Sequence, residues 1–409
     1  MFLDTGNKTE CFGCEACAQV CNVNAISMIE DDEGFRYPEI NISKCVRCGR
    51  CKKVCPYEHI PKKDSGNKYV YGGYNKDRAI RFNSTSGGAF SAITDVFCDD
   101  DYVVFGVEAK GLLAFHSFIN DKSELENFRK SKYTQSIIGG AYRNVEQFLQ
   151  QGKKVLFSGT PCQVAGLLSF LGDEDKKNLL TVEVVCEGVP SPLYIRKMVK
   201  HYERKYGDEI VFLDYRYKGK SLFFQGSWDF EKMKMRFRNG KEKVMDRWIN
   251  PFWSVWLQHL MSRPSCYKCP FATLERVSDI TLGDLWGVHM YCPELYGENG
   301  GSSLVVCNTD KGKEVFKLAQ DKLYGHELKI DDALKYQGPM RKSISQNEKR
   351  EQFMTDLKGT KTFKSINKEW AESPTIKLLF QKYIWGNRQK IFVWSILHRD
   401  YRKGTRGDD

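Results

Sequence analysis

The chain has 409 residues, 28% of them charged, a formal net charge of +11 and fifteen cysteines, so it is too long for a lone small electron carrier and predicts two or three domains around a sizeable core. No basic stretch runs into an apolar segment at its start and no uncharged apolar run nears about eighteen residues, so neither a secretory leader nor a transmembrane span is expected, and a cytoplasmic protein is. Residues 1–60 hold seven Lys/Arg against nine Asp/Glu, which puts the positive excess in the remainder. Without a helix-turn-helix, zinc-finger or RNA-binding signature, that excess suits acidic electron carriers and phosphate-bearing cofactors better than nucleic acid, with a merely soluble cationic surface as the plain alternative.

The first element is a repeat. Cys11, Cys14, Cys17 and Cys21 are separated by two, two and three residues, and Cys45, Cys48, Cys51 and Cys55 repeat that spacing, followed by Pro56. Three thiolates so close in sequence wrap one cubane, while the fourth, on the following helix, points at the other. Cys11, Cys14, Cys17 and Cys55 are therefore expected to hold one 4Fe–4S cluster, and Cys45, Cys48, Cys51 and Cys21 the second. A disulfide framework or a pair of zinc sites fits less well, because zinc sites use two-plus-two spacing with no third thiolate in the loop. Asn22 replaces the proline of the second copy, which alters the turn after Cys21 and removes no ligand. Between the copies, 25–29, 31–34 and 35–40 read as strand, turn, strand. The polar stretch 57–68 marks a boundary, closing a ferredoxin-type domain at residues 1–60.

From 69 to 330, short apolar strands such as 102–105, 154–157 and 180–185 alternate with amphipathic helices, which predicts an α/β domain around a mixed sheet. Residues 212–237, rich in aromatics, read as β-hairpins projecting from it. Ser84-Thr85-Ser86-Gly87-Gly88 precedes a helix over 89–97, and Gly283-Asp284-Leu285-Trp286-Gly287 is a second glycine-rich turn. Such turns offer backbone N–H groups and hydroxyls to a phosphate; a helix cap without ligand is the alternative for the first. No G-x-G-x-x-G and no P-loop signature occurs, so an ordinary dinucleotide site and nucleotide hydrolysis are not expected.

The strand over 155–157 leads through Ser158-Gly159-Thr160-Pro161 to Cys162, ahead of an apolar helix over 164–171. Free N–H groups and the helix dipole at such a turn stabilise a thiolate. Cys186 ends the next strand before Glu187-Gly188, at the carboxyl edge where ligands gather in open α/β sheets. Cys266-x2-Cys269-Pro270 adds a close pair in a loop opened by Arg263-Pro264-Ser265. These four cysteines could ligate a third metal centre; a redox-active thiol at Cys162 and half a zinc site at Cys266 and Cys269 are the alternatives. Cys98, Cys292 and Cys307 follow no ligand spacing and read as buried hydrophobes or surface thiols.

After residue 330 the chain reads as basic and helical. Its stretch 376–398 is amphipathic and is expected to dock on its own domain, with peripheral membrane contact as the alternative. The fold class is thus an α+β/α/β multidomain protein: a two-cluster ferredoxin-type domain over 1–60, a mixed-sheet α/β domain over 69–330 and a helical region over 331–409.

Taken in order, the two cluster motifs, Ser84 to Gly88, Ser131-Lys132-Tyr133-Thr134-Gln135-Ser136, Ser158 to Gln163, Cys186-Glu187-Gly188, Arg263 to Phe271 and Ser278 to Gly287 resemble the coenzyme F420 hydrogenase/dehydrogenase beta-subunit family. The resemblance covers nearly the whole chain to about residue 320. It implies an FAD held in the large domain, and cubane clusters that wire it to an external electron donor or acceptor such as a ferredoxin. Members reduce the deazaflavin coenzyme or other substrates, chlorophyll-pathway reductases among them, and related bacterial chains with a fused ferredoxin occur among surface-polysaccharide genes. By that likeness Ser86, Gly87, Gly88, Lys132, Tyr133 and Gln135 line the flavin, and Cys162, Cys186, Cys266 and Cys269 bind a third 4Fe–4S cluster near it. Lys132 is expected to polarise the flavin or its phosphates, a solvated surface lysine being the alternative. Glu187 stands where many relatives have histidine, so proton delivery at that point is open. The expected function is an iron–sulfur flavoprotein oxidoreductase acting on a small molecule or carrier, with Lys132 and Glu187 as catalytic candidates. A non-catalytic electron-transfer adaptor for a partner enzyme is the alternative, and the sequence names neither the substrate nor the oligomeric state.

Overall fold

The computed structural model describes residues 1–62, 66–99, 101–172, 176–219, 232–246, 250–296, 300–386, 393 and 397. Strands β1 (Ile26–Glu30) and β2 (Arg36–Ile40) form the antiparallel hairpin of the N-terminal domain, with Ile26 opposite Ile40. The later strands are β3 (Tyr69–Asn75), β4 (Tyr102–Lys110), β5 (Leu113–Ile119), β6 (Lys154–Gly159), β7 (Leu179–Val184), β8 (Ile210–Asp214), β9 (Met233–Phe237), β10 (Glu242–Met245), β11 (Ile280–Asp284), β12 (Ser303–Cys307) and β13 (Leu323–Glu327).

Eight of these make one mixed sheet in the order β13-β3-β12-β11-β7-β6-β4-β5. Within it β4, β6, β7 and β11 run parallel, and the flanking pairs are antiparallel. Both faces of these strands are covered: Val155, Leu156 and Phe157 in β6 are all fully buried, and in β7 Thr181 and Glu183 are buried along with Leu179, Leu180 and Val182. Because the four central strands point the same way, the residues that follow β6 and β7, and the end of β11, emerge at one edge. The helix Pro161–Leu171 starts there: Pro161 occupies the first turn, where its missing N–H is not needed, and the Gln163 side chain accepts the Thr160 N–H at 2.9 Å.

Strand β4 runs well past the expected 102–105 because its second half pairs with β5. As the hairpin reading expects, β8, β9 and β10 pair antiparallel in chain order, in a sheet separate from the main one, and residues 220–231 of that segment lie outside the described residues. The helices Arg350–Lys358 and Phe363–Trp370 bury Phe353, Leu357, Ile366 and Trp370 in a core shared with Tyr194, Met198, Trp253 and Trp256. The expectation that the next helix docks on its own domain does not hold over its described turns. Helix Ile376–Tyr383 leaves Ile376 87% and Phe380 48% exposed, because no described element lies over that face; most of 387–398 lies outside the described residues. Among the described residues no helix is long and apolar enough to cross a membrane.

The ferredoxin-type domain shares a core with the sheet, through Phe12, Cys14, Ala16, Val20 and Val54 packed with Val103, Phe157 and Leu167. Polar contacts fix the pairing. Arg350 bonds Glu33 at 2.6 Å and the Ser262 carbonyl at 3.0 Å, all buried, while Ser191 Oγ donates to the Glu33 carbonyl at 2.6 Å. Glu15 pairs with Arg36 at 2.9 Å and accepts the Gly139 N–H at 3.1 Å, and Gln19 Oε1 accepts the Tyr142 N–H at 2.9 Å.

Candidate iron–sulfur and cofactor site

All fifteen cysteines are free. Of the N-terminal eight, Cys14 is buried and Cys48 exposed, so the large domain covers the first loop and leaves the second open. The fold brings Cys55 beside Cys11, Cys14 and Cys17, close enough that its charge acts on Cys14 and Cys17. Burial pushes both of those thiols well above their usual range, with the neighbouring sulfurs adding to the rise. Ionised sulfur there requires a cation such as iron. Cys21 Sγ accepts the Ala25 N–H at 3.2 Å.

Cys162, Cys186, Cys266 and Cys269 open into one cavity, which Phe12, Phe271 and Ile344 also line. Cys162 is the second residue of its helix, Cys186 follows β7, Cys266 lies in the turn Pro264–Lys268, and Cys269 directly follows that turn. Arg276 pins the last loop, pairing with Glu183 of β7 and donating to the carbonyls of Phe271 at 2.6 Å and Thr273 at 3.0 Å. Burial lifts the Cys162 thiol to about 11 and the Cys266 thiol to about 12, each also raised by nearby cysteines. Thiols that oppose one another's ionisation are poorly suited to act as free nucleophiles, which counts against the redox-thiol alternative. Among the described residues no three cysteine sulfurs lie within 4.8 Å of one another.

The two sets of cysteines are neighbours. Gly166 lies one helical turn from Cys162, and an added Cβ would come 2.8 Å from Tyr142 Oη, 2.9 Å from Cys14 Cβ and 3.1 Å from Cys14 Sγ. Alanine in place of a helical glycine is ordinarily favourable by up to about 1 kcal/mol. Here Gly166→Ala is expected to push the first cysteine loop off the helix and lower iron by about four per chain, measured as iron per folded chain with circular dichroism as the control.

Arg263 ties the sets together. Its guanidinium donates to Cys11 O at 2.9 Å, Arg36 O at 3.0 Å, Gln135 Oε1 at 2.9 Å and Cys11 Sγ at 3.4 Å, and lies 4.2 Å from the centre of the Tyr37 ring. Its backbone N–H donates to Val189 O, and its carbonyl accepts the Cys266 N–H, both at 2.9 Å. Gln135 Nε2 in turn donates to Phe12 O at 3.0 Å. Gln135 thus holds the first cysteine loop.

The other residues expected at a flavin gather along a strip beside this cavity. Ser86 Oγ donates to Ser302 O at 2.6 Å and the Gly87 N–H to Ser303 Oγ at 2.9 Å. A Cβ at Gly87 would meet Gly73 O at 2.5 Å, so these two residues are packed onto β3 and β12. Gly88, at φ +88, starts the helix Ala89–Phe97. Thr85 Oγ1 accepts the Ser131 N–H at 2.7 Å, which brings Lys132 and Tyr133 alongside. Lys132 Nζ donates to Asn127 O at 3.2 Å and Arg129 O at 2.8 Å, and desolvation lowers its pKa to about 8. Buried Lys218 donates to Arg81 O at 2.9 Å and Ser86 O at 2.5 Å, and desolvation likewise lowers it well below the lysine range. Among the described residues, neither lysine has a carboxylate partner within bonding distance. Arg216 Nη1 bonds Asp284 Oδ2 at 2.6 Å and Tyr133 Oη at 3.3 Å, below Trp286. Glu187, at the rim, has its carboxyl raised by desolvation, with Arg216 opposing the rise.

Arg216 and Lys218 escaped notice in the sequence, although Tyr215-Arg216-Tyr217-Lys218 alternates aromatic with cation just after β8. Cys292 meets Glu294 and His326, but one Glu294 oxygen takes both the Cys292 thiol at 2.8 Å and His326 Nε2 at 3.0 Å, a closed hydrogen-bonded set. Cys98 and Cys307 are buried among apolar side chains.

Comparison with known proteins bears on both halves. Residues 10–59 match the 4Fe-4S dicluster domain, and residues 152–333 match the family described as the C terminus of the coenzyme F420 hydrogenase/dehydrogenase beta subunit. The first match makes residues 10–59 an iron–sulfur domain of the 4Fe-4S dicluster type. Over residues 152–333 the chain is similar to the C-terminal part of the coenzyme F420 hydrogenase/dehydrogenase beta-subunit family. An uncharacterized polyferredoxin-like protein of Methanocaldococcus jannaschii is 35% identical over 75 residues, which is 15% of this chain and 45% of that protein. The chain thus spans under half the length of that curated relative. A chain of the F420-reducing [NiFe] hydrogenase complex of Methanosarcina barkeri, solved with xenon, is 14% identical with a TM-score of 0.42, covering 75% of this chain and 94% of the other. At that level the likeness says nothing about the site.

Proposed function

We propose that the chain is an iron–sulfur flavoprotein oxidoreductase. The eight N-terminal cysteines hold two 4Fe–4S clusters, Cys162, Cys186, Cys266 and Cys269 hold a third, and the strip from Ser86 to Glu187 holds FAD for the reduction of a small molecule or carrier. Bound there, the clusters would supply single electrons at low potential and a flavin would turn two of them into a pair. The observation that carries this reading is the cavity in which four cysteines from three elements meet Phe12 of the first N-terminal loop.

The fit to an anionic cofactor rests on Lys132, an ammonium below about pH 8 bonded to carbonyl oxygens and so with charge left for a diphosphate, and on Lys218, a buried amine on carbonyl oxygens that a neighbouring anion would help to protonate. Arg216 lies against the Trp286 ring and bonds the Tyr133 hydroxyl, so both aromatic residues border the strip. Ser86 and Gly87 contribute the shape of the wall, since their own polar groups are bonded within the fold. Glu187 is placed to hold or release a proton at its carboxylate.

Lys132→Ala is expected to weaken flavin retention at least tenfold, about 1.4 kcal/mol. A lysine titrating at about 8 is charged below that value, so retention by the unsubstituted protein should fall as pH rises through it, and the variant should lack that dependence. Flavin fluorescence after anaerobic dialysis measures both. Intact clusters with no flavin after reconstitution would favour the adaptor reading.

A further inference from the structure

The two copies of the cysteine repeat have unlike surroundings. In the first, Phe12 and Cys14 are buried, and Gly13, at φ +69, carries no side chain to keep Gln135 and Arg263 off the loop. In the second, the matching residues are Val46, 65% exposed, Arg47 and the exposed Cys48, with Ile42 beside them 73% exposed. An added Cβ at Gly49 would meet nothing within 4 Å.

Charge divides the same way. Residues 42–53 contain Lys44, Arg47, Arg50, Lys52 and Lys53 and no carboxylate, while the rest of residues 1–60 has only Lys8 and Arg36 among nine acidic residues. All five cations are exposed. Among the described residues only Lys52 has a carboxylate in reach, Asp4 at 3.5 Å. Arg47 sits at φ +54, where its counterpart in the other copy is a glycine. A non-glycine residue is disfavoured in that conformation, so the charge is kept against the preference of the backbone.

We propose that the outer loop, residues 42–53, is the docking surface for an acidic one-electron carrier protein, a small ferredoxin of net negative charge. The inference rests on reading the N-terminal cysteines as cluster ligands, and it deepens the proposed function by naming the entry point and the partner; it needs neither flavin nor a third cluster. A ring of cations steers an oppositely charged partner, and a small apolar centre at Ile42 and Val46 lets it approach closely. In the transfer one electron leaves the reduced carrier and enters the oxidised cluster held by Cys45, Cys48, Cys51 and Cys21; no bond or proton moves. Nucleic acid and anionic lipid would answer the same charge. Neither has a use for a cluster ligand left at the surface beside bare apolar side chains.

The test is stopped-flow reduction of the purified protein by a reduced acidic two-cluster ferredoxin, followed as bleaching of the N-terminal clusters. For the unsubstituted protein, the second-order rate should fall at least tenfold between low salt and an ionic strength of about 0.5 M, where the Debye length is well below the roughly 10 Å at 0.1 M. Lys44→Glu with Arg47→Glu and Lys53→Glu should be at least tenfold slower at low salt, and the gap should close at high salt. Reduced methyl viologen, a small cation, should reduce that variant at an undiminished rate. A salt-independent rate, or equal slowing by both reductants in a variant that keeps its iron, would overturn the proposal. So would loss of DNA or anionic-vesicle binding in the variant with no change in its rate with ferredoxin. Iron per chain, measured on the same samples, separates this outcome from failure of the cluster assignment.

Discussion

Cys266→Ser is expected to remove about four of about twelve irons per chain and to leave the ferredoxin pair in place. Burial, with the neighbouring sulfurs of Cys269 and Cys162 adding to it, lifts the Cys266 thiol to about 12, so without metal it is a neutral group in a sheltered cavity, and with metal it would be a ligand whose loss opens one corner of a cube. The loop itself should survive, because Arg276 still pairs with Glu183 and still binds the carbonyls of Phe271 and Thr273. Iron assay with paramagnetic resonance of the reduced protein distinguishes the outcomes. Unchanged iron would remove Cys266 from the ligand set.

Arg263→Gln is expected to lower the potential of the cluster at Cys11, Cys14, Cys17 and Cys55 by at least about 60 mV, a factor of ten for one electron. Arg263 is completely buried. No carboxylate bonds it among the described residues, and the sulfur within its reach is Cys11 Sγ at 3.4 Å. A buried guanidinium without a counter-ion is costly, and four thiolates around an iron–sulfur core supply negative charge that grows by one on reduction. The cation therefore favours the reduced form, and removing it shifts the potential downward. The cluster at Cys45, Cys48 and Cys51 should keep its potential. Arg263→Lys, which retains charge but loses the fork of donors, should shift less. A redox titration followed by paramagnetic resonance reads this directly; equal shifts in both N-terminal clusters, or none, would reduce Arg263 to a mechanical clamp.

How much of this was legible in the residues depends on how far apart the partners lie. The cluster loops read well because three ligands sit within one short turn, where spacing alone sets the chemistry. The parallel core of the sheet was likewise visible in the apolar run at 155–157 and the valine-rich stretch 180–185, although the latter carries Thr181 and Glu183. Longer-range pairings were not. Gln135 was expected at a cofactor, yet it bonds Phe12 O more than a hundred residues away, and nothing local marks that contact. Gly166 lies within the stretch read as an apolar helix, and nothing local shows that its missing side chain makes room for Cys14. The helix Ile376–Tyr383 read as amphipathic, which is correct, but amphipathicity does not say what the apolar face meets.

The most direct measure of the whole account is the content of iron, acid-labile sulfide and extractable flavin in protein purified without oxygen. The account predicts about twelve irons, about twelve sulfides and about one FAD per chain. About eight irons with no flavin, or zinc in place of iron, would contradict it.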